Sequence, residues 1–379
     1  MTNPDLPDRT PSHGGSDAEP TDPAMGRRSF VAAGASALAG LAAAGAPALS
    51  GLAFTRTQAS AARPPVPGPP GARSRLILLG TAAGPIPQPN RSAPAQAIVV
   101  GDSTWVVDCG NGVARQMSLA GLPLGTIRGV FITHHHSDHN ADYGTLLLLA
   151  WAGGLDARVD TYGPPPLAEM TRHFLALSES DIRARMAEAR RPPLAPLIAP
   201  HEIGGAEAGG TEAGRTEAGG TRAGGTEGGG GFGVAVYEDA GVRVSAVRVE
   251  HPPLATALAY RFDCPDRSIV ISGDTRPSPA LVALARGADV LVHEVLHVPA
   301  IEPLIARAPD PRALREHLLA SHTTTEQVGR LATEAGVKTL VLTHLVPGGP
   351  QGPGDDAWAE AVRPHFKGTL VVGRDLLEL

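Results

Sequence analysis

Thr133 to Tyr143 reads T-H-H-H-S-D-H-N-A-D-Y and carries four histidines and two carboxylates in eleven residues. The apolar run Ile127, Val130, Phe131, Ile132 stands directly before it and reads as a buried strand. In an extended chain His134 and His136 project to the same side. Asp138 and His139 fall on the turn that follows and reach a second point close by. This spacing suits two metals better than one. Imidazole nitrogen with carboxylate oxygen, and no thiolate nearby, favours zinc, with manganese or iron as lesser alternatives. A histidine-rich polar surface loop is the plain alternative, and it fits this composition poorly.

Four further strand-like runs also finish in residues able to bind a metal or move a proton. Val242, Val244, Ala246, Val247 and Val249 lead to Glu250-His251-Pro252-Pro253, and Ser268 to Ser272 leads to Gly273-Asp274-Thr275. Val290 to His293 ends in His293-Glu294, and Lys338 to Thr343 ends in His344. One such histidine is weak evidence, since most lone histidines are structural. Five strands ending alike imply convergence at one edge of packed sheets, the geometry that a multi-ligand site needs.

The elements that must position these residues follow from the same reading. Arg75 to Gly80, Gln96 to Val100 and Thr104 to Asp108 read as strands in close succession, an antiparallel start to a sheet with turns at Gly110 and Gly112. Val113 to Ala120 is a short helix, and Asp142 to Trp151 a helix buried on most sides, in which Trp151 serves the core. Pro164 to Arg190 holds two helical stretches, the first presenting Leu167, Met170, Phe174 and Leu177 on one face. The arginines at its end, Arg183, Arg185, Arg190 and Arg191, read better as a solvated face than as an anion site. Val234 to Tyr237 and Thr256 to Phe262 are further strands, Pro279 to Ala285 a helix, and Thr324 to Ala335 an amphipathic helix with a threonine cap after Ser321-His322-Thr323. Two groups of strands, each interleaved with amphipathic helices that must cover a sheet face, predict an α+β fold, a four-layer αββα sandwich with the metals at one edge.

With 379 residues, a net charge of -6, and 42% hydrophobic but only 4% aromatic residues, the chain has length for two domains. Its low-complexity stretches reduce the count to one catalytic domain, residues 75 to 379. Residues 1 to 24, rich in Pro, Asp, Ser, Thr and Gly, read as disordered. Residues 25 to 62 open with Arg27-Arg28-Ser29-Phe30-Val31 ahead of a weakly apolar Ala, Gly and Leu run, which looks like a twin-arginine export signal and predicts an exported protein handled by that machinery. Residues 63 to 74 form a Pro-rich linker, and residues 204 to 231 repeat units like T-E-A-G-G, a low-complexity insertion unable to bury a core. Cys109 and Cys264 are the only cysteines, too few for a disulfide framework, although a single bridge between them stays open. The acidic balance offers no basic face for nucleic acid, a weak argument that a local patch would defeat.

On these motifs the chain resembles the metallo-β-lactamase superfamily and, within it, the branch of ribonuclease Z and certain secreted arylsulfatases. The resemblance runs from Arg75 to Leu379 apart from the glycine-rich insertion. It begins with Leu79-Gly80-Thr81 through Pro89-Asn90-Arg91 to Val107-Asp108-Cys109-Gly110, and continues with H-x-H-x-D-H at His134, His136, Asp138 and His139. It implies that His134, His136 and His251 hold one zinc and Asp138, His139 and His344 the other, with Asp274 bridging and Asp108 orienting a ligand. His322-Thr323-Thr324 resembles the H-S-T motif of ribonuclease Z, and His293-Glu294 the start of its H-E-A-T motif, from which Val295-Leu296 departs. The long arm by which many ribonuclease Z enzymes grip tRNA is not recognisable.

The resemblance thus implies two zincs per chain roughly 3.5 to 4 Å apart, which would bring a bridging water to a pKa of about 7 and clamp the oxygens of an ester. His322, supported by Asp138, His293 and Glu294 as candidate catalytic residues, would stabilise the transition state or protonate the leaving oxygen. The expected function is an exported binuclear hydrolase of small anionic esters, phosphodiester or aryl sulfate. The alternative is a tRNA 3'-processing endoribonuclease, and a metal-binding module without catalysis is the reading of a third class. True β-lactamase action is disfavoured, since those enzymes lack the bridging carboxylate. A homodimer stays open.

Overall fold

A computed structural model of the chain describes residues 74–204, 233–239, 241–350 and 352–379. The expectations for residues 1–73 and 205–232 lie outside the described residues. The first half opens with β1 (Ser74–Gly80), β2 (Ala95–Val100) and β3 (Ser103–Val107), followed by α1 (Val113–Leu119) and β4 (Ile127–Phe131). Then come α2 (Ser137–Asn140), α3 (Tyr143–Ala152), β5 (Val159–Gly163), α4 (Leu167–Leu177), α5 (Glu179–Ala189) and β6 (Ile198–Glu202).

The second half begins with β7 (Val234–Glu238), β8 (Arg243–Val249), β9 (Ala257–Asp263) and β10 (Ser268–Ile271). It continues with α6 (Pro279–Ala285), β11 (Val290–Leu296), α7 (Val298–Ile305), α8 (Pro311–Ser321) and α9 (Thr325–Ala335). The chain closes with β12 (Thr339–Val346), α10 (Asp355–Val362), β13 (Thr369–Val372) and β14 (Leu377–Glu378).

These strands make two seven-stranded mixed sheets. Sheet A has the order β14-β1-β2-β3-β4-β5-β6, and sheet B the order β13-β12-β11-β10-β9-β8-β7. β1, β2 and β3 pair antiparallel, and β3 to β6 continue parallel. Parallel neighbours need crossovers, and the helices between them supply these while covering one face of each sheet. The core accordingly falls into three layers. Met117, Leu146, Trp151 and Leu167 pack helices onto sheet A, and Leu281, Val328, Leu331 and Trp358 pack helices onto sheet B. Between the sheets lie Trp105, Phe131, Tyr260 and Phe262, where Phe131 stacks on Tyr162 at 5.0 Å and meets Tyr260 and Phe262 edge-on. This is the predicted αββα sandwich, with strand alternation deciding which side chain enters which layer.

The structure differs from the sequence reading where side-chain pattern is a poor guide. β5 and β6 have no strong strand signature: β6 carries Pro200, His201 and Glu202 and survives as an edge strand. The apolar face of α4 stops short of its end, because Leu177 is 83% exposed beyond the rim of the core. β11 and β12 run on past Glu294 and His344 to Leu296 and Val346 rather than ending at them. A register shift after Glu294 leaves His344 unmatched as a bulge. Cys109 and Cys264 are both free thiols, Cys109 under the helices of sheet A and Cys264 against the inter-sheet layer.

Candidate metal centre

The site is assembled at strand ends. His134 and His136 stand on the segment after β4, Asp138 and His139 on α2, His251 after β8, Asp274 after β10, and His344 on the β12 bulge. Backbone geometry aims several of these groups. Asp108 and His344 adopt positive φ of 59° and 42°, a conformation costly for any side chain other than glycine. A bulge is the usual device for re-aiming a residue without ending its strand. Gly110 lets the loop after β3 touch α2, since a Cβ there would lie 2.3 Å from the Asp138 carbonyl oxygen. Gly273, at φ 59°, similarly lets the Asp274 loop close on Thr133.

Three overlapping groups result, and within each the potential ligand atoms lie within 4.8 Å of one another. His134, His136, His251 and Asp274 make the first, Asp138, His139 and His344 the second, and Asp274, His322 and His344 the third. In the first, His134 Nε2 and His251 Nε2 stand 3.1 and 3.2 Å from His136 Nδ1. Asp274 spans the groups: Oδ2 lies 3.9 Å from both His134 Nε2 and His251 Nε2 and 3.2 Å from His344 Nε2, while Oδ1 lies 3.4 Å from His139 Nε2. His344 Nε2 is also 3.4 Å from Asp138 Oδ2.

The donor set fits divalent cations. His139 Nε2 and Asp274 Oδ1 are buried without a hydrogen-bond partner, and such atoms need one. The opposite nitrogens of two histidines are already engaged: His139 Nδ1 donates to Asp108 Oδ2 at 2.8 Å, and His251 Nδ1 to the Ser321 carbonyl at 2.8 Å. These bonds fix the tautomer that leaves Nε2 as the free lone pair. Asp108 is itself held by the Thr133 amide at 2.8 Å and the Thr133 hydroxyl. His135, the remaining histidine of the cluster, spends both nitrogens away from the centre, on the Pro164 carbonyl at 2.7 Å and Asn140 at 3.0 Å.

Electrostatics agree with this fit. Burial, reinforced by the neighbouring His139, lowers His134 well below the usual imidazole range, so it is a neutral ligand donor. Burial also lowers His136 and His251. Burial opposes charge on His139 too, but Asp274 and Asp108 outweigh it and raise that imidazole well above its ordinary value. For Asp138, burial is outweighed by the hydrogen bond from His344 and the charge of His139, and its pKa falls to about 2. Buried carboxylates that stay ionised demand positive charge, which a divalent cation supplies as well as a proton.

Beside this cradle lies a second device. His322 follows α8, and the capping box of Thr324 with Gln327 starts α9 two residues later. His322 Nδ1 is 3.2 Å from Glu294 Oε2, and Glu294 Oε1 accepts from the amides of Thr323 at 3.0 Å and Thr275 at 3.2 Å. Burial would discharge His322, but Glu294 prevails and raises its pKa to about 9. His293 points to no such role: its Nδ1 bonds the Glu294 carbonyl at 2.6 Å, its Nε2 is buried without a partner, and it enters none of the three groups. Sequence reasoning missed Thr133, Ser321 and Thr275, which orient the ligands and Glu294. Only adjacency to the motif residues could have pointed to them.

Comparison with known proteins points to one family. Residues 104–345 match the model of the beta-lactamase superfamily domain. The chain is 32% identical over 304 residues to ribonuclease Z of Mycobacterium sp. (strain KMS), covering 79% of this chain and 94% of that protein. Ribonuclease Z of Mycobacterium bovis (strain BCG / Pasteur 1173P2) is 30% identical over 305 residues, with 79% and 96% covered. Among solved structures, the short form of human tRNase Z aligns with a TM-score of 0.56 at 21% identity, over 80% of this chain and 98% of that one. The metallo-β-lactamase fold protein YhfI of Bacillus subtilis aligns with a TM-score of 0.53 at 18% identity, over 81% and 98%. With its two mixed sheets, flanking helices and histidine-aspartate cradle, this metal-dependent ester hydrolase belongs to the metallo-β-lactamase superfamily, among the relatives of ribonuclease Z.

Proposed function

We propose that the protein is an exported phosphodiesterase of small anionic diesters that works with two divalent metals, zinc by preference. The observation that carries this reading is the juxtaposition of the cradle with the Glu294–His322 pair, in which His322 also falls in one group with Asp274 and His344. His134, His136 and His251 would hold one ion, Asp138, His139 and His344 the other, and Asp274 both. Bound metal supplies Lewis acidity and an activated water at neutral pH.

The chain's own residues supply the rest. His322, protonated at neutral pH because Glu294 sustains its charge, can donate a proton to the departing ester oxygen or hydrogen-bond the charge developing there. Glu294 is fixed by two backbone amides, so it keeps the imidazole oriented without itself touching substrate. Asp108 and the Ser321 carbonyl hold His139 and His251 at the angle in which Nε2 faces the centre. Export rests on Arg27-Arg28 and the run behind it, and would separate the enzyme from cytoplasmic RNA.

The ribonuclease Z relatives favour a second reading, cleavage of precursor tRNA at its 3' side, since the similarity spans nearly the whole length of those proteins. Both readings share hydrolysis of a phosphodiester. The test is metal analysis of purified protein alongside bis(p-nitrophenyl) phosphate, p-nitrophenyl sulfate and a precursor tRNA. Two metals per chain with turnover of the diester and little of the tRNA support the proposal. Efficient tRNA cleavage with negligible diester turnover replaces it by the second reading, and turnover confined to the sulfate replaces the substrate class.

A further inference from the structure

Beside Asp138 the surface opens into a trough that the ligand set does not use. Its inner part is a small cavity of about 60 Å³ against Asp138, walled by Pro85, Ile86 and Pro87, with Ile86 73% exposed. Beyond Asn111, which lines both parts, it widens into a cleft of about 370 Å³ reached by Arg115 and Asn90. Arg115 is exposed and has no ion-pair partner among the described residues. Its backbone is nevertheless fixed, because the next residue, Gln116, is buried and donates to the Leu79 carbonyl at 2.5 Å. The cleft's own acid, Asp375, is already occupied by the Thr81 and Ser92 amides and the Thr81 hydroxyl, with Arg91 bonded to the same hydroxyl.

Asp138 is the one member of the candidate ligand set that also lines this trough, so a diester held at Asp138 would have the trough beside one of its arms. The inner walls are mostly apolar and hold no cationic side chain, while the outer end presents the Arg115 guanidinium together with the carboxamides of Gln88, Asn90 and Asn111. That order matches a compact ring next to the reacting ester and a further anion beyond it. Resting on the phosphodiesterase reading above, we infer that the outer cleft is an anion subsite in which Arg115 takes a second phosphate of the substrate, one compact ring away from the ester that is cut. A terminal phosphate on a small molecule and the next phosphate of a nucleic-acid strand share this chemistry.

The test is binding, which does not depend on turnover. Titration calorimetry of the zinc-loaded full chain with thymidine 3',5'-bisphosphate and thymidine 5'-monophosphate should show roughly tenfold tighter binding of the bisphosphate, the effect of one charge-assisted contact. Arg115→Ala should erase that preference, and Arg115→Lys should restore part of it. Equal affinities in the unaltered chain, no measurable binding of either ligand, or a preference that survives Arg115→Ala would overturn the subsite. A 5'-phosphorylated thymidine dinucleotide competing as well as the bisphosphate would identify a strand as the source, and failure to compete a terminal phosphate; either keeps the subsite. Lack of turnover on bis(p-nitrophenyl) phosphate would instead remove the phosphodiesterase reading and leave selective binding standing.

Discussion

The half of the centre supplied by sheet A and the half supplied by sheet B are built in different ways. Four potential ligands from the sheet A side, His134, His136, Asp138 and His139, occupy six consecutive positions, so local chain geometry alone brings them close. On the sheet B side, His251 follows β8, Asp274 follows β10, Glu294 and His344 lie within β11 and β12, and His322 follows α8, so these five meet only once separate elements have docked. Much of the cradle's nitrogen is thus local, whereas the spanning carboxylate and the acid/base pair depend on tertiary structure. The local half should keep some affinity for metal when the other is damaged. The dispersed half should govern how metal and proton transfer are combined.

Asp274→Ala attacks the point where the halves join and should have the largest effect. Metal content is expected to fall for both positions, with activity reduced roughly a thousandfold or more, as loss of several kcal/mol of Lewis-acid stabilisation implies. Plasma emission analysis of the purified variant beside its ester kinetics measures both. Retention of two metals would show that Asp274 does not join the halves. His322→Ala should separate the roles: both metals stay, and kcat falls on the order of a hundredfold or more, the usual contribution of a positioned acid. Metal loss equal to that of Asp274→Ala would make His322 a ligand instead.

Asp108→Asn tests the local half. It should weaken metal affinity by about 10- to 100-fold through His139 without abolishing folding, which chelator competition would read. An unchanged affinity would mean that the His139 tautomer needs no anchor.

A smaller effect is expected in pH dependence. The pKa of His322 is raised from 6.5 to about 9, so its acid form persists below that value and activity should decline as pH rises through about 9. Its contribution to stability has the same sign, complete below the unfolded value and lost through about 9. Glu294→Gln removes the main raising influence and should move the alkaline limb of kcat toward the ordinary histidine range of about 6.5. A limb that stays in place would assign it to another group. The smallest effect concerns the segment joining the halves. Halving the T-E-A-G-G repeats within residues 205–231 should alter melting temperature and ester turnover little, because closure entropy depends weakly on length; a large drop in melting temperature would show that the repeats pack.

Patterning along the chain is enough to specify the αββα layering, since period-two alternation in the strands and apolar stripes on the helices assign each face to a layer. It also singled out the local ligand cluster, because six adjacent residues cannot separate far. Tertiary structure alone decided that β5 and β6 complete sheet A, as the pairing of β5 with β4 and of β6 with β5 offsets weak strand preference. It decided that His344 is delivered by a bulge within a continuing strand, a feature of register between β11 and β12 that neither strand encodes alone. It likewise decided the pairing of Glu294 with His322, 28 residues apart, and the turning of His293 onto a backbone carbonyl. The physical reason is that periodicity and adjacency are short-range properties of the chain, whereas a hydrogen bond between two elements exists only once both are docked.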